Sequence, residues 1–160
     1  MPHRHPPVAV PLAAATALAC AAPAHAEYEI AYAHVDEIDG QTSQGMVASW
    51  LRPVERWKDA GVYTEVLFGG IAGRDGFPGR DDEDIFFLGA GLRKHWGGFF
   101  LGGGVAVLDH QNSLLSSRGQ FVTSLGYAHG HLVIAFRHIS NANTQGNNDG
   151  ENLLSLGYRW

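Results

Sequence analysis

The chain ends on the sequence HLVIAFRHISNANTQGNNDGENLLSLGYRW, residues 131–160, and this stretch decides the fold. Its first and last ten residues place apolar side chains at every second position, the period that a β-strand imposes. One face of the first segment carries Leu132, Ile134, Phe136, His138 and Ser140. One face of the last segment carries Leu154, Leu156, Tyr158 and Trp160. We therefore expect two strands with matching apolar stripes, joined by a polar loop.

His138 and Ser140 end the first of these strands. Because they are two residues apart, both side chains leave the same face, about 7 Å apart along the backbone. An imidazole that can reach a hydroxyl is the arrangement of a serine hydrolase. The pattern therefore predicts a candidate nucleophile on an apolar face.

The N-terminus has the features of a secretory signal. Arg4 precedes an apolar, alanine-rich run from Val8 to Ala22, and the residues Ala24-His25-Ala26 offer a small-x-small cleavage site. We expect residues 1–26 to be removed and the mature chain to begin at Glu27. The single cysteine, Cys20, lies within the removed segment.

Composition narrows the class of protein. The chain has 16 acidic and 11 basic residues, which argues against a nucleic-acid partner because such partners require a basic patch. All 21 glycines follow residue 26, and this abundance disfavours long helices. The mature chain also has no run of eighteen apolar residues that would predict a spanning helix. The composition favours β structure.

Segments of period two, bounded by turn residues, predict eight strands. Their expected bounds are about 27–36, 45–53, 61–73, 83–96, 98–109, 118–129, 131–140 and 151–160. Most have the length that a tilted strand needs to cross a bilayer, and bacterial barrels have an even strand number. We therefore predict an all-β fold, an eight-stranded antiparallel transmembrane β-barrel of the outer membrane over residues 27–160. Side chains fill the interior of a barrel of this size, so conduction is not expected.

The connections predict an orientation. Two of them, at Gly97-Gly98 and around Gly130, are short hairpin turns. Four others are longer and polar, at about 36–44, 74–82, 109–117 and 141–150, and only the connection 54–60 breaks the alternation. Outer-membrane barrels have short periplasmic turns and long external loops. His138 and Ser140 should therefore lie at the extracellular end.

Aromatic residues near the strand ends predict the girdles that mark the two membrane interfaces. The candidates are Trp50, Trp57, Tyr63, Trp96, Phe99 and Phe100. The terminal Trp160, preceded by apolar residues at alternate positions, also looks like an outer-membrane assembly signal.

Three elements near the C-terminus carry a resemblance to a known family. They are the run from Phe136 to Ala142, the triplet Asn148-Asp149-Gly150, and the closing Ser155-Leu156-x-Tyr158. In these elements the sequence resembles the lipid A 3-O-deacylase family (PagL), outer-membrane esterases that remove the 3-linked acyl chain of lipopolysaccharide. About forty residues carry the specific part. The resemblance implies an eight-stranded barrel with outward-facing catalytic groups and with no metal or other cofactor.

The resemblance also implies roles for individual residues. Ser140 would be the nucleophile and His138 the general base that accepts its proton. The side chain of Asn148, with the backbone around Asn141 and Ala142, would stabilise the oxyanion of the tetrahedral intermediate. These five residues form the candidate site together with the third member of the catalytic triad.

The third member of the catalytic triad has two candidates. The family's acidic position falls on Asn152, whereas the nearest acid, Glu151, comes one residue earlier. In a regular strand Asn152 shares the outward face with Leu154 and can reach His138, while Glu151 points into the barrel. A bulge after Gly150 would turn Glu151 outward instead. Geometry favours Asn152 and chemistry favours Glu151, because only a carboxylate offsets the charge of an imidazolium.

The sequence thus predicts a lipid A 3-O-deacylase whose partners are lipopolysaccharide and the outer membrane, and it leaves a homodimer open. Two alternatives remain: a non-catalytic outer-membrane barrel for adhesion or envelope integrity, and a secreted lipocalin-like or β-sandwich binder. His34 shares a face with Tyr32 on a first strand that must pair with the last, so a role near the site is a further possibility. We expect the acidic loop 74–84 to be solvated, with phosphate contact or cation binding as alternatives.

Overall fold

A computed structural model describes residues 26–36, 42–74, 83–112, 114–144 and 150–160. Eight strands make up nearly all of this part of the chain. They are β1 (Glu27–Asp36), β2 (Thr42–Pro53), β3 (Val62–Ile71), β4 (Ile85–Trp96), β5 (Phe99–Leu108), β6 (Gly119–His129), β7 (Leu132–Ser140) and β8 (Glu151–Arg159). A short 3-10 helix, Glu55–Ala60, joins β2 to β3. None of the described helical segments is long and apolar enough to cross a membrane.

The strands form one closed antiparallel barrel in sequence order. The closure between β1 and β8 continues to the last residue, where Tyr28 and Trp160 exchange backbone hydrogen bonds of 3.1 and 3.0 Å. Closure leaves no free strand edge, so every strand satisfies its backbone groups on both sides. The predicted eight-stranded fold is confirmed. The predicted signal stays a prediction, because residues 1–25 lie outside the described part of the chain.

The start of β2 was wrongly predicted at residue 45, and the strand begins three residues earlier at Thr42. The polar triplet from Thr42 to Gln44 has the composition of a loop. Ser43 nevertheless points into the lumen, and its hydroxyl donates to the carbonyl of Ala72 at 2.5 Å. A lumenal partner for the hydroxyl lets polar residues extend the strand. The other strand bounds agree with the predicted ones within two residues.

The connections define two ends of the barrel. The end that we call the short-turn end carries the turns at Gly97 and Gly130, both glycines having a positive φ, together with the 3-10 helix, the start of β1 and the end of β8. The opposite end, which we call the long-loop end, carries the connections after β1, β3, β5 and β7. His138 and Ser140 lie at the long-loop end, in the last three residues of β7.

A cluster of four charged side chains fills the middle of the lumen. The fully buried Arg93 donates from Nη1 to Glu29 at 2.8 and 2.9 Å and from Nε to Glu65 at 3.2 Å, and its Nη2 also donates to Glu65. Arg137 lies 3.9 to 4.0 Å from the same two carboxylates and donates to Ser155 Oγ at 3.1 Å. Two positive and two negative charges therefore balance inside the barrel.

Apolar layers enclose the charged cluster on both sides. The layer toward the long-loop end includes Val35, Leu67 and Leu115, the last contributed by the connection between β5 and β6. The layer toward the short-turn end contains Phe100 and Val133. Packed side chains therefore occupy the lumen along its length.

Two residues of the predicted aromatic girdles were wrongly assigned. Phe100 is buried in the lumen under the guanidinium of Arg93, 4.3 Å from its ring centroid. Tyr63 also faces inward, where the centroid of its ring lies 5.0 Å from that of His95. Strand parity explains both errors, since adjacent residues face opposite sides and the exposed position next to Phe100 belongs to Phe99. Trp96 and Phe99 are exposed on the exterior, as the girdle prediction requires.

Candidate functional site

Asn152 is the residue that faces His138. The two are direct lateral partners on β8 and β7, and His138 Nδ1 lies 2.8 Å from Asn152 Oδ1. Their side chains leave the outward face of the sheet, because the residues on either side, Arg137 and Leu153, are buried in the lumen. An amide oxygen can only accept, so His138 Nδ1 carries the proton of this hydrogen bond. In the neutral form of the ring, the other nitrogen, Nε2, is then an acceptor.

Ser140 and His138 converge on Gly150, the residue before β8. A Cβ atom added to Gly150 would lie 2.7 Å from His138 Cε1 and 3.0 Å from Ser140 Cβ, so these two atoms are at most 5.7 Å apart. Gly150 has a φ of +77°, a conformation that favours glycine. Its N–H donates to the carbonyl of Leu114 at 3.2 Å, which ties it to the β5–β6 connection. A side chain at this position would overlap the imidazole, so only glycine lets the backbone pass this close to His138.

Glu151 is not brought to His138. It is fully buried in the lumen, where its two carboxylate oxygens accept from Arg74 at 2.7 and 2.8 Å. The pairing of β7 with β8 is regular from its first pair, Ile139 with Glu151, so no bulge turns the carboxylate outward. The alternative that placed Glu151 beside the imidazole is therefore not what the structure contains. Arg74 was also expected in a solvated loop, and its ion pair explains why it is buried instead.

The turn after Ser140 is held by Asn141. Its side chain is 1% exposed, and its Nδ2 donates to the hydroxyls of Ser116 and Ser117 at 3.1 Å each. The next residues, Ala142 and Asn143, have φ values of +52° and +58°. The chain therefore makes a tight left-handed turn directly beyond Ser140. The predicted oxyanion donor Asn148 lies outside the described residues.

Sequence reasoning missed the packing that supports the site. Gly150 entered the prediction only as part of a motif, and its contact with His138 and Ser140 depends on a fold-level approach between two strands. Thr123 is the exposed lateral neighbour of His138 on β6, and only the register of β6 with β7 identifies it. The two serines that hold Asn141 lie in a connection whose path the sequence does not reveal.

An apolar wall extends from the site toward the short-turn end. The side chains that share the outward face on β7 and β8 below the His138–Asn152 pair are exposed and apolar. They are Leu132, Ile134, Phe136, Leu154, Leu156 and Tyr158. The matching stripes predicted from the sequence therefore meet on the exterior of the barrel, next to each other.

The remaining candidates are separate from this pair. His34 is exposed on the outward face of β1, where it pairs laterally with Leu154. In the loop 74–84 the structure describes Arg74, Glu83 and Asp84, and Asp84 Oδ1 accepts from the N–H of Gly73 at 3.0 Å. Within the described ranges, no three histidine, cysteine or acidic side chains are arranged to hold a metal ion.

Comparison with solved structures identifies similar barrels. The crystal structure of the outer membrane enzyme PagL superposes with a TM-score of 0.58 at 19% identity, covering 83% of this chain and 97% of that one. Two structures of Ail, the attachment invasion locus protein of Yersinia pestis, one of them with the heparin analogue sucrose octasulfate, give TM-scores of 0.45 and 0.43. Their identities are 18% and 19%, and they cover 84% and 85% of this chain and 97% and 99% of theirs. No protein-family model and no curated protein sequence matches this chain.

At this level of identity, the likeness to PagL establishes the fold. The chain has the closed, antiparallel, eight-stranded architecture of small outer-membrane barrels. What this barrel does must therefore be argued from its own residues.

Proposed function

We propose that this protein is an outer-membrane lipid A 3-O-deacylase, a serine esterase that hydrolyses the ester-linked 3-hydroxyacyl chain at position 3 of lipid A in lipopolysaccharide. The observation that carries the proposal is the 2.8 Å contact between His138 Nδ1 and Asn152 Oδ1 on the outer wall, two residues from Ser140. Burying polar groups against hydrocarbon is costly unless they have partners or a function. An outward-facing serine and histidine above an apolar wall fit a membrane-embedded ester substrate.

The chemistry assigns one role to each side chain. Asn152 holds the imidazole with Nδ1 protonated, so His138 Nε2 takes the proton of Ser140 as the serine oxygen attacks the ester carbonyl. The tetrahedral intermediate collapses when His138 returns that proton to the departing sugar oxygen, leaving the acyl chain on Ser140. Water, deprotonated by the same imidazole, then attacks the acyl carbonyl, and the imidazole returns the proton to the Ser140 oxygen as the fatty acid leaves. Asn148 and the backbone N–H groups around Asn141 and Ala142 are the proposed donors to the oxyanion.

Asparagine in the third position has a chemical consequence. Asn152 fixes the tautomer and the direction of the ring, as asparagine does in papain-like proteases. It does not carry the negative charge that would offset the imidazolium formed during attack. We therefore expect slower turnover than a carboxylate at the same position would give.

The apolar wall suits the acyl chains of the substrate. Exposed Ile134 and Phe136 on β7 and Leu154 and Leu156 on β8 would contact these chains directly below the ester. With the long-loop end outside the cell, the ester would meet Ser140 near the level of the sugar headgroups. No cavity through the filled lumen is needed.

The proposal is tested by expressing the full chain in a Gram-negative bacterium that lacks this activity and weighing its lipid A. We expect a mass decrease equal to one 3-hydroxyacyl group, abolished by Ser140→Ala. Thr64→Ala is the matched control, since Thr64 is an exposed hydroxyl on the outer wall at the short-turn end. An unchanged lipid A mass with folded wild-type barrel in the outer membrane would favour the non-catalytic alternative. The same mass loss with Ser140→Ala would remove Ser140 from the mechanism.

A further inference from the structure

The register of the strands fixes which residues share a level on the outer wall. A row of laterally paired residues starts at Thr42 on β2, passes through Asn152 and His138, and returns to β2 at Arg52, ten positions nearer the short-turn end. The strands are therefore tilted, as closure of a barrel requires. To stay at one height along the barrel axis, one must therefore move slightly more than one residue away from the lateral pair at each successive strand.

On one side of the barrel the wall is apolar around and above the level of His138, where above means toward the long-loop end. The outward positions of β3, β4 and β5 in this zone hold only apolar side chains or glycine. They are Phe68, Gly70, Phe86, Leu88, Val105 and Val107. Phe121, the exposed lateral partner of Ser140 on β6, belongs to the same apolar sector.

On the other side the wall is polar just above the same level. Past Asn152, the outward face carries His34 on β1 and Gln44 and Thr42 on β2, and all three are exposed. We call these three residues the polar notch. Below the notch the wall becomes apolar again, at Leu154 on β8, Tyr32 on β1 and Met46 on β2. The boundary between polar and apolar exterior is thus lower beside the site than on β3 to β5.

A polar notch at a level that is apolar elsewhere favours polar neighbours, such as a lipid headgroup, over acyl chains. Imidazole, amide and hydroxyl groups lose hydrogen bonds when acyl chains cover them. Together they offer donors and acceptors, the combination that sugar hydroxyl and N-acyl groups need. The notch adjoins Asn152 on the side away from Phe121, so a ligand that reaches Ser140 has a polar and an apolar flank.

We propose that the polar notch binds the saccharide headgroup of the glycolipid substrate, while the scissile acyl chain lies on the β6–β7 side along Phe121 and Phe136. This inference rests on the proposed function and gives the substrate a direction. The alkoxy side of the ester, which carries the sugar, points from Ser140 across β8 toward His34 and Gln44. The acyl side points away from them.

Binding measured without turnover tests the notch separately from catalysis. Purified lipopolysaccharide is titrated against the full-length barrel carrying Ser140→Ala, in detergent micelles, with and without His34→Leu and Gln44→Leu together. We expect the double substitution to raise Kd about tenfold, the weight of one or two hydrogen bonds. Thr64→Leu, an equally exposed polar position far from the site, should leave Kd unchanged. A long-chain p-nitrophenyl ester, which has an acyl chain but no saccharide, should bind equally to all variants.

The outcomes distinguish the two proposals. An unchanged Kd for lipopolysaccharide after the double substitution would overturn the notch, as would an equal loss of affinity for the p-nitrophenyl ester. A wild-type barrel that binds lipopolysaccharide through the notch but releases no fatty acid would overturn the esterase and retain the headgroup site. Heat-modifiable migration on gels verifies that each variant is folded.

Discussion

The lumen and the outer wall of this barrel use the same kinds of polar side chain in opposite ways. In the lumen, Arg93 meets Glu29 and Glu65 in a buried and balanced cluster. On the outer wall, the imidazole of His138 has one hydrogen bond within the described part of the chain, to Asn152, and both side chains are only half-buried. The lumenal side chains form ion pairs with one another, whereas the outer side chains face the surroundings of the barrel. The difference suggests a division in which the lumen supplies stability and the outer wall carries the proposed chemistry.

Substitutions in the lumen and on the outer wall should therefore differ in their effects on the free energy of unfolding and on turnover. Removing one member of a buried charge cluster leaves its partners charged and desolvated, which lowers the free energy of unfolding. Removing an outer polar group leaves its partner in contact with the surroundings and should change turnover more than stability. Substitutions in the lumen and on the outer wall test each half of this distinction.

The largest effect is expected for Arg93→Leu. It leaves Glu29 and Glu65 in the lumen without their closest cation, and we expect the free energy of unfolding to fall by about 3–5 kcal/mol. Urea unfolding in detergent micelles, followed by tryptophan fluorescence, measures the change. The exposed Arg56→Leu in the 3-10 helix is the control and should change stability by less than about 0.5 kcal/mol. Equal stabilities of the two variants would contradict the account of the lumen.

A smaller effect, on turnover alone, is expected for Asn152→Leu. Without the amide oxygen the imidazole loses the hydrogen bond that fixes its tautomer, and we expect kcat to fall about 100-fold. The unfolding curve should stay close to that of the wild type, because the side chain lies on the outer wall. Fatty acid release from purified lipopolysaccharide measures the rate.

Asn152→Glu sharpens the same point in the opposite direction. A carboxylate at this position would hold the ring and also offset the charge of the imidazolium, so we expect kcat to rise about tenfold. A fall in kcat to the level of Asn152→Leu would mean that the amide makes a contact that a carboxylate cannot replace.

An effect of about tenfold is expected for Gly150→Ala. The new methyl group would lie 2.7 Å from His138 Cε1, so the imidazole must shift and kcat should fall. Gly130→Ala is the matched control, since Gly130 also has a positive φ but nothing within 4 Å of an added Cβ. Both variants pay for backbone strain of about 1 kcal/mol. Only Gly150→Ala should lose turnover per folded molecule, and equal losses would show that strain alone is responsible.

The sequence contains most of the fold because a barrel repeats one simple rule. Alternation placed Leu132, Ile134 and Phe136 outward and thereby oriented β7, and the closed barrel follows from eight such strands. Alternation alone does not show where a strand begins or which of two adjacent residues faces the lumen. Ser43 extends β2 through a hydrogen bond to the carbonyl of Ala72, just beyond β3, and Phe100 takes the inward position next to Phe99, where Arg93 packs over its ring. Such partners depend on register, which alternation does not fix.

The sequence predicts the candidate site except for one choice, that between the adjacent residues Glu151 and Asn152. His138 and Ser140 share an outward face by parity alone, and the structure brings them together against Gly150. The choice between Glu151 and Asn152 depended on whether β8 begins with a bulge. Arg74, seventy-seven positions earlier in the chain, forms the ion pair that holds Glu151 in the lumen. No local sequence pattern predicts that partner.

The smallest effect on turnover is therefore expected for Glu151→Gln. The substitution removes the carboxylate that Arg74 contacts at 2.7 Å, so the barrel should be less stable, by about 3 kcal/mol. Because Asn152 and not Glu151 contacts His138, kcat per folded molecule should nevertheless stay within about twofold of the wild type. The folded fraction is read from heat-modifiable migration, and fatty acid release is divided by it. A loss of kcat as large as that of Asn152→Leu would mean that the carboxylate reaches the imidazole during catalysis, and that lumen and outer wall are not separate in function.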